Sequence, residues 1–341
     1  MAISIRQINR AKELIKKNAP DRAAKILQKI IREFPDDLEA RLLFGEVCDT
    51  MGWLKEAVEQ YEKSYKIKPG DPEILYLFSE ACLMSYQTKR AREIASTGRE
   101  LAPDDFRFPM VIADGYLWGL PVEGKKGQEA EEFIKNAHRA LDECFSLNPT
   151  NGEPFVIKAE LALLEGDKKA AIKYFEQALE GGLELYSDRV DISLCRSILA
   201  FDIGDRELGK KCIETCLSLA ENWEGPHFLK LMLFREHALM LREYYLGIQV
   251  TSEEISSFLP EYEDLASRGF KMQKISQEVR NFFIHLPEYR SGRQEEGRKK
   301  LEEILGTLSE KLPLCIIFQS VKKPSLVFLL KSYLDELSRP G

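Results

Sequence analysis

Long apolar runs, histidine and any surplus of basic charge are what this sequence is short of, and each shortage removes a class of function. The longest apolar stretches, near 311–334, are broken by Lys322, Lys323 and Pro324, too short on either side to span a bilayer. The opening MAISIRQINRAKELIKK carries a charge every few positions and lacks the apolar core of a secretory signal. Basic side chains number 49 against 56 acidic ones, a net charge of −7, so general attraction to nucleic acid or anionic lipid is not expected. Alternating β-branched residues are too sparse for a large sheet.

The four histidines, His138, His227, His237 and His285, fall in no metal-ligand or catalytic spacing, and Ser320-Val-Lys-Lys323 lacks the companion motifs its S-x-x-K pattern would need. Seven cysteines, an odd number without framework spacing, and no Asn-x-Ser/Thr site with a permitted middle residue fit a reducing compartment. A soluble cytoplasmic protein is expected, a periplasmic or lumenal one being the alternative. Cys212 and Cys216 are one helical turn apart, but zinc needs two more ligands and only Cys195 is near, so packing is the expected role. No metal, no cofactor and no enzymatic activity are expected.

What is present is a ruler. Pro35, Pro69 and Pro103 stand 34 residues apart, and so do Ala23, Ala57 and Ala91. The prolines are followed by acidic or amide residues: Asp36-Asp37, Gly70-Asp71, Asp104-Asp105 and, after Pro149, Thr150-Asn151. A proline cannot continue the helix before it, and a following Asp or Asn can cap the next. Within each period the apolar residues recur at i, i+3, i+4 and i+7, so the repeating unit is a helix, a turn and a second helix.

The clearest unit, LEARLLFGEVCDTMGWLKEAVEQYEKSYKIKP, sets Phe44, Gly45 and Cys48 on its first helix, Gly52 in the turn, and Ala57, Tyr61 and Ser64 on its second. This register closely resembles the tetratricopeptide repeat over about two thirds of the chain. The resemblance implies an all-α fold: a right-handed superhelical solenoid of antiparallel helix pairs with a helical C-terminal extension. Six pairs are expected over 1–221, and degenerate repeats with a solenoid cap over 222–341. The fifth unit places Ala159, Ala162, Gly166, Ala171, Phe175 and Ala178 in the repeat slots; the sixth has Gly209 where alanine is usual.

The fourth unit runs 46 residues from Pro103 to Pro149, twelve more than the ruler, while Ala137 to Ala171 returns to 34. The surplus therefore lies at about 119–130, in GLPVEGKKGQEA, as an insertion lengthening a surface turn. Gly119, Gly124 and Lys125 have the spacing of a phosphate-binding loop. A helix precedes them instead of a strand, Lys126 stands where the magnesium-binding hydroxyl belongs, Pro121 removes an amide, and Glu129, Glu131 and Glu132 oppose an anion. A nucleotide site is not expected.

In the family the first helices of successive units line a concave groove, which implies where partners bind. The middle row would be Ile8, Leu42, Tyr76, Met110, Val156 and Leu194, all apolar. One rail would carry Lys12, Glu46, Glu80, Asp114, Glu160 and Ile198; the other Ile5, Glu39, Glu73, Arg107, Glu153 and Asp191, with Trp118 among the residues beyond. The slots that chaperone-tail-binding members fill with Lys, Asn and Arg hold Ile8, Lys12, Leu43, Glu73 and Leu77, which disfavours an acidic C-terminal tail. The expected partner is a protein segment with basic and apolar residues, held by a non-catalytic adaptor or scaffold. A second reading of the row is that the chain's own C-terminal segment covers it. A second reading of the function is a self-assembling structural component joined through the apolar helix expected at 226–247 and the terminal segments.

Overall fold

The computed structural model describes residues 2–221 apart from 18, 52, 184 and 185, with scattered positions between 235 and 299. Apart from those scattered positions, the helices expected at 226–247, 251–270, 272–285, 292–312 and 324–337, and with them the basis of the self-assembly reading, lie outside the described residues. Those described hold twelve helices and no strand. In chain order they are α1 (Ala2–Lys16), α2 (Pro20–Glu33), α3 (Leu38–Thr50), α4 (Leu54–Ile67), α5 (Pro72–Met84), α6 (Thr88–Leu101), α7 (Arg107–Val122), α8 (Gln128–Leu147), α9 (Glu153–Leu164), α10 (Lys168–Gly181), α11 (Tyr186–Asp202) and α12 (Arg206–Glu221).

The proline ruler acts through the backbone. The residue before each proline, Phe34, Lys68, Ala102 and Asn148, has nearly the same extended geometry, with φ between −132° and −145° and ψ between 75° and 84°. A following proline excludes the α region there, so four helices end in the same register. Two residues past each proline a side chain takes up an orphan amide of the next helix: Asp37 accepts from the Ala40 N–H at 3.0 Å, Asp71 from Glu73 at 3.0 Å, Asp105 from Arg107 at 3.1 Å and Asn151 from Glu153 at 2.8 Å.

Two compact units result. Met1–Glu184 form most of the first, and Leu185–Trp223 belong to the second. In the first, each helix packs on the next along the chain, and odd-numbered helices also touch across repeats: α1 with α3, α5 with α7, α7 with α9. No even-numbered pair makes comparable contact among the described residues. The first helices of the pairs therefore crowd together on the inner side, as a stack that curves must have them. Close approach depends on missing side chains: a Cβ on Gly45 would lie 2.6 Å from the Tyr61 ring, and one on Gly98 2.0 Å from Phe108. Arg41, buried between pairs, donates to the Pro35 carbonyl at 2.6 Å and to Gln60 Oε1 at 2.8 Å, tying the turn to α4. In the second unit α11 and α12 enclose Val190, Leu194, Ile198, Ile213 and Cys216.

The surplus of the fourth pair lengthens helices instead of a turn. At 16 and 20 residues, α7 and α8 outrun the 12–15 residues of α1–α6, α9 and α10, leaving only 123–127 between them. Arg92 supports the extra turn of α7. Its guanidinium lies 4.7 Å from the Tyr116 ring and 5.0 Å from Phe133, bonds to the Gly115 carbonyl, and sits 2.8 Å from Glu123 Oε1, which also accepts from the Thr88 hydroxyl at 2.8 Å.

Candidate partner-binding face

The inner side of the first unit is built from α1, α3, α5, α7 and α9. Of the apolar row, Leu42, Tyr76 and Val156 are half-buried and present surface, whereas Ile8 and Met110 are buried, the latter 7% exposed. Met110 sits on a helix with neighbours on both sides, α5 and α9, so little of it reaches the surface. Leu194 is 1% exposed in the core of the second unit and lines no open row.

One rail is acidic and crowded. Glu46, Glu80, Asp114 and Glu160 follow one another on α3, α5, α7 and α9. Burial, then the charges of Glu160, Glu80 and Glu153, push the Asp114 carboxyl well above the ordinary carboxylate range. Burial also raises Glu46, against a smaller pull from Lys12. On the other rail Arg107 Nη1 sits 2.9 Å from Glu73, binds Asp105 at 2.8 Å and lies 4.4 Å over the Tyr76 ring, while Lys12, from the first rail, reaches across to Glu39 at 2.6 Å. Past Lys12 the first rail is acidic from Glu46 to Glu160.

Past the rails, Trp118 lies half-buried with its ring 6.1 Å from Tyr86, and Met84 is 46% exposed beside them in sequence. Tyr86 was not foreseen. It adopts φ 62°, a left-handed geometry that the equivalent turns give to Gly166 and Gly204. That conformation costs an L-residue roughly 1–2 kcal/mol.

The phosphate-loop spacing has an ordinary structural use. Gly119 is buried within α7, where a Cβ would meet Arg92 at 2.7 Å and Phe133 at 2.9 Å; Gly124 and Gly127, at φ 65° and 53°, make the turn. Lys125 Nζ lies 3.4 Å from Glu129 and 5.2 Å over Phe133. Among the described residues no group of three His, Cys, Asp or Glu is placed to hold a metal ion, and no helix is long and apolar enough to cross a membrane. Cys48, Cys82, Cys144, Cys195, Cys212 and Cys216 are buried free thiols.

Tetratricopeptide-repeat family models match residues 8–72 and 153–180. These two stretches are tetratricopeptide repeats. A thermophilic tetratricopeptide repeat protein of Thermus thermophilus superposes over 59% of this chain and 99% of its own, with 20% identity and a TM-score of 0.50. PilW, a type IV pilus biogenesis factor, covers 67% of this chain and 97% of its own at 14% identity and TM-score 0.48. MamA of Desulfovibrio magneticus covers 52% and 93% at 19% identity and TM-score 0.43. A search of curated proteins finds no match. Proteins of this repeat generally mediate protein–protein interactions, using the surfaces that stacked helix pairs expose.

The raised Asp114 carboxyl has a consequence for stability. A group that ionises at higher pH in the folded chain than in the unfolded one makes the folded state bind more protons between the two values. Stability therefore falls as pH rises across that interval. Asp114→Asn should remove this loss, raising the melting temperature at pH 7.5 and changing little near pH 4. At this size each kcal/mol corresponds to about 2–4 °C, which differential scanning calorimetry at the two pH values resolves.

Proposed function

We propose that the inner face of residues 1–184 holds a basic, partly apolar segment of a partner protein, and that the chain serves as a non-catalytic adaptor. The crowding of Glu80, Asp114 and Glu160, with Glu46 continuing the row on α3, carries this reading: gathering carboxylates on a half-buried surface is unfavourable in the free protein, and cations from a ligand relieve it. Leu42, Tyr76, Val156 and Trp118 supply the apolar surface against which such a segment would anchor. The ion pairs Lys12–Glu39, from α1 to α3, and Arg107–Glu73, from α7 to α5, keep neighbouring first helices in fixed register, so the face is pre-formed and little ordering is lost on binding.

The test is fluorescence anisotropy with a labelled helix-forming peptide of alternating leucine and lysine faces, and a second with glutamate in place of lysine. The lysine peptide should bind and weaken with added salt, the glutamate peptide should not bind, and the triple variant Glu46→Gln, Glu80→Gln, Asp114→Asn should lose roughly tenfold in affinity, ~1.4 kcal/mol. Equal affinity of variant and native protein for the lysine peptide would remove the acidic face from the explanation.

A further inference from the structure

Within the first unit a cleft of about 270 Å³ opens where the start of α7, the start of α9 and the end of α10 meet. Tyr76, Phe106 and Leu183 give it apolar walls, and Arg107, Glu153 and the backbone of Gly181 and Gly182 supply its polar lining. Its size falls below the roughly 300–1,000 Å³ of pockets that enclose a whole small ligand, and suits one side chain of a larger one.

Its electrostatics select the sign of that side chain. Among the described residues Arg107 is the one cation lining it, and it is already engaged by Asp105 and Glu73 and lies over the Tyr76 ring. Asp105 is held below the usual carboxylate range by hydrogen bonds from Arg107, although burial opposes this, so it stays charged. Glu73 and Asp105 thus bind the guanidinium between them, and Glu153 adds a further carboxylate to the cleft lining. The third source of negative potential is α10, a helix of 14 residues that ends at Gly181 with its carbonyls directed to this end. Glycines allow the closeness: a Cβ on Gly152 would fall 2.2 Å from the Ala178 oxygen and 2.3 Å from the Gly182 oxygen. The carboxylate of Glu153 offers about four acceptor positions, enough for more than one donor.

We propose that this cleft is a subsite for one lysine or arginine side chain of the segment held on the inner face. The aliphatic stem lies along Tyr76, Phe106 and Leu183, and the cationic head meets Glu153 and the carbonyls that end α10. This rests on the adaptor reading for its ligand, and adds to it a fixed point that sets the register of the bound segment.

The experiment uses the full chain, labelled with nitrogen-15, and four probes: the N-acetyl, N-methylamide derivatives of lysine, arginine, norleucine and glutamate. The lysine and arginine probes should shift the Gly181 and Gly182 amide resonances in a saturable way, and norleucine and glutamate should not. Glu153→Gln, which keeps the backbone amide that Asn151 caps, should weaken the lysine probe roughly fivefold, while Glu59→Gln, an exposed change on α4 outside the cleft and the rails, leaves it unchanged. Saturable binding of the glutamate probe, equal binding of norleucine, or an unaltered Glu153→Gln would overturn the subsite. If the labelled lysine peptide binds while the lysine probe does not, the subsite fails and the acidic face stands; the reverse result fails the face alone.

Discussion

Gly98→Ala is expected to destabilise the protein by about 2 kcal/mol, although alanine is the better helix former. Helix propensity favours the change by roughly 1 kcal/mol. Against it, a Cβ at this position would lie 2.0 Å from Cε1, 2.4 Å from Cζ and 2.5 Å from Cδ1 of Phe108. Phe108 is fully buried, so its ring has no solvent side to retreat to, and overpacking of this kind costs about 1–3 kcal/mol and sometimes more. Three ring atoms in collision put this site at the upper end, and the clash wins. Phe108→Ala alone opens a cavity worth about 3–5 kcal/mol. In the double variant the new methyl occupies part of that cavity, so the combined loss should fall short of the sum by about 1 kcal/mol or more. Urea unfolding of the four proteins measures the coupling. Simple additivity would mean that α6 and α7 separate freely, and that the close approach is not what fixes the step from one pair to the next.

That step was readable because it is written in residues with a local effect. Proline fixes the geometry of the residue before it, and Asp or Asn two places later caps the next helix, whatever the rest of the fold does. The expected second rail was misleading in charge. Glu73 and Arg107 lie 34 residues apart, at the same slot of successive units, so the spacing that placed them in one row also made them neighbours and a salt bridge. Treating the row as a line of separate charges overlooked this. The depth of Met110 and Leu194 could not be read from the register, because a repeat position says which way a side chain faces and not how closely the adjacent helices approach it. Tyr86 had a signal: it fills the turn slot that holds glycine elsewhere, and a bulky residue held left-handed implies a local reason to keep it.

The insertion shows the same limit, and gives the second large effect. Counting residues finds twelve extra but cannot say whether they form loop or helix; a single side chain decides. Arg92→Ala should cost about 3 kcal/mol, because it removes the cation from a largely buried pair whose side chains are 12% and 21% exposed, leaving the Glu123 carboxylate with the Thr88 hydroxyl but no counter-charge. Lys125→Ala, which deletes the conspicuous lysine of the phosphate-loop spacing, should cost no more than about 0.5 kcal/mol, since its partner Glu129 is 69% exposed. Adding Glu123→Gln to Arg92→Ala should restore part of the loss by removing the stranded charge. Thermal melts rank the variants, and hydrogen exchange of the amides over 116–122 locates the effect in the last turns of α7. Because those turns carry Trp118, Arg92→Ala should also weaken the lysine peptide without altering any residue that touches it. A larger loss for Lys125→Ala than for Arg92→Ala would reverse the assignment and return the insertion to the role of a lysine-centred site.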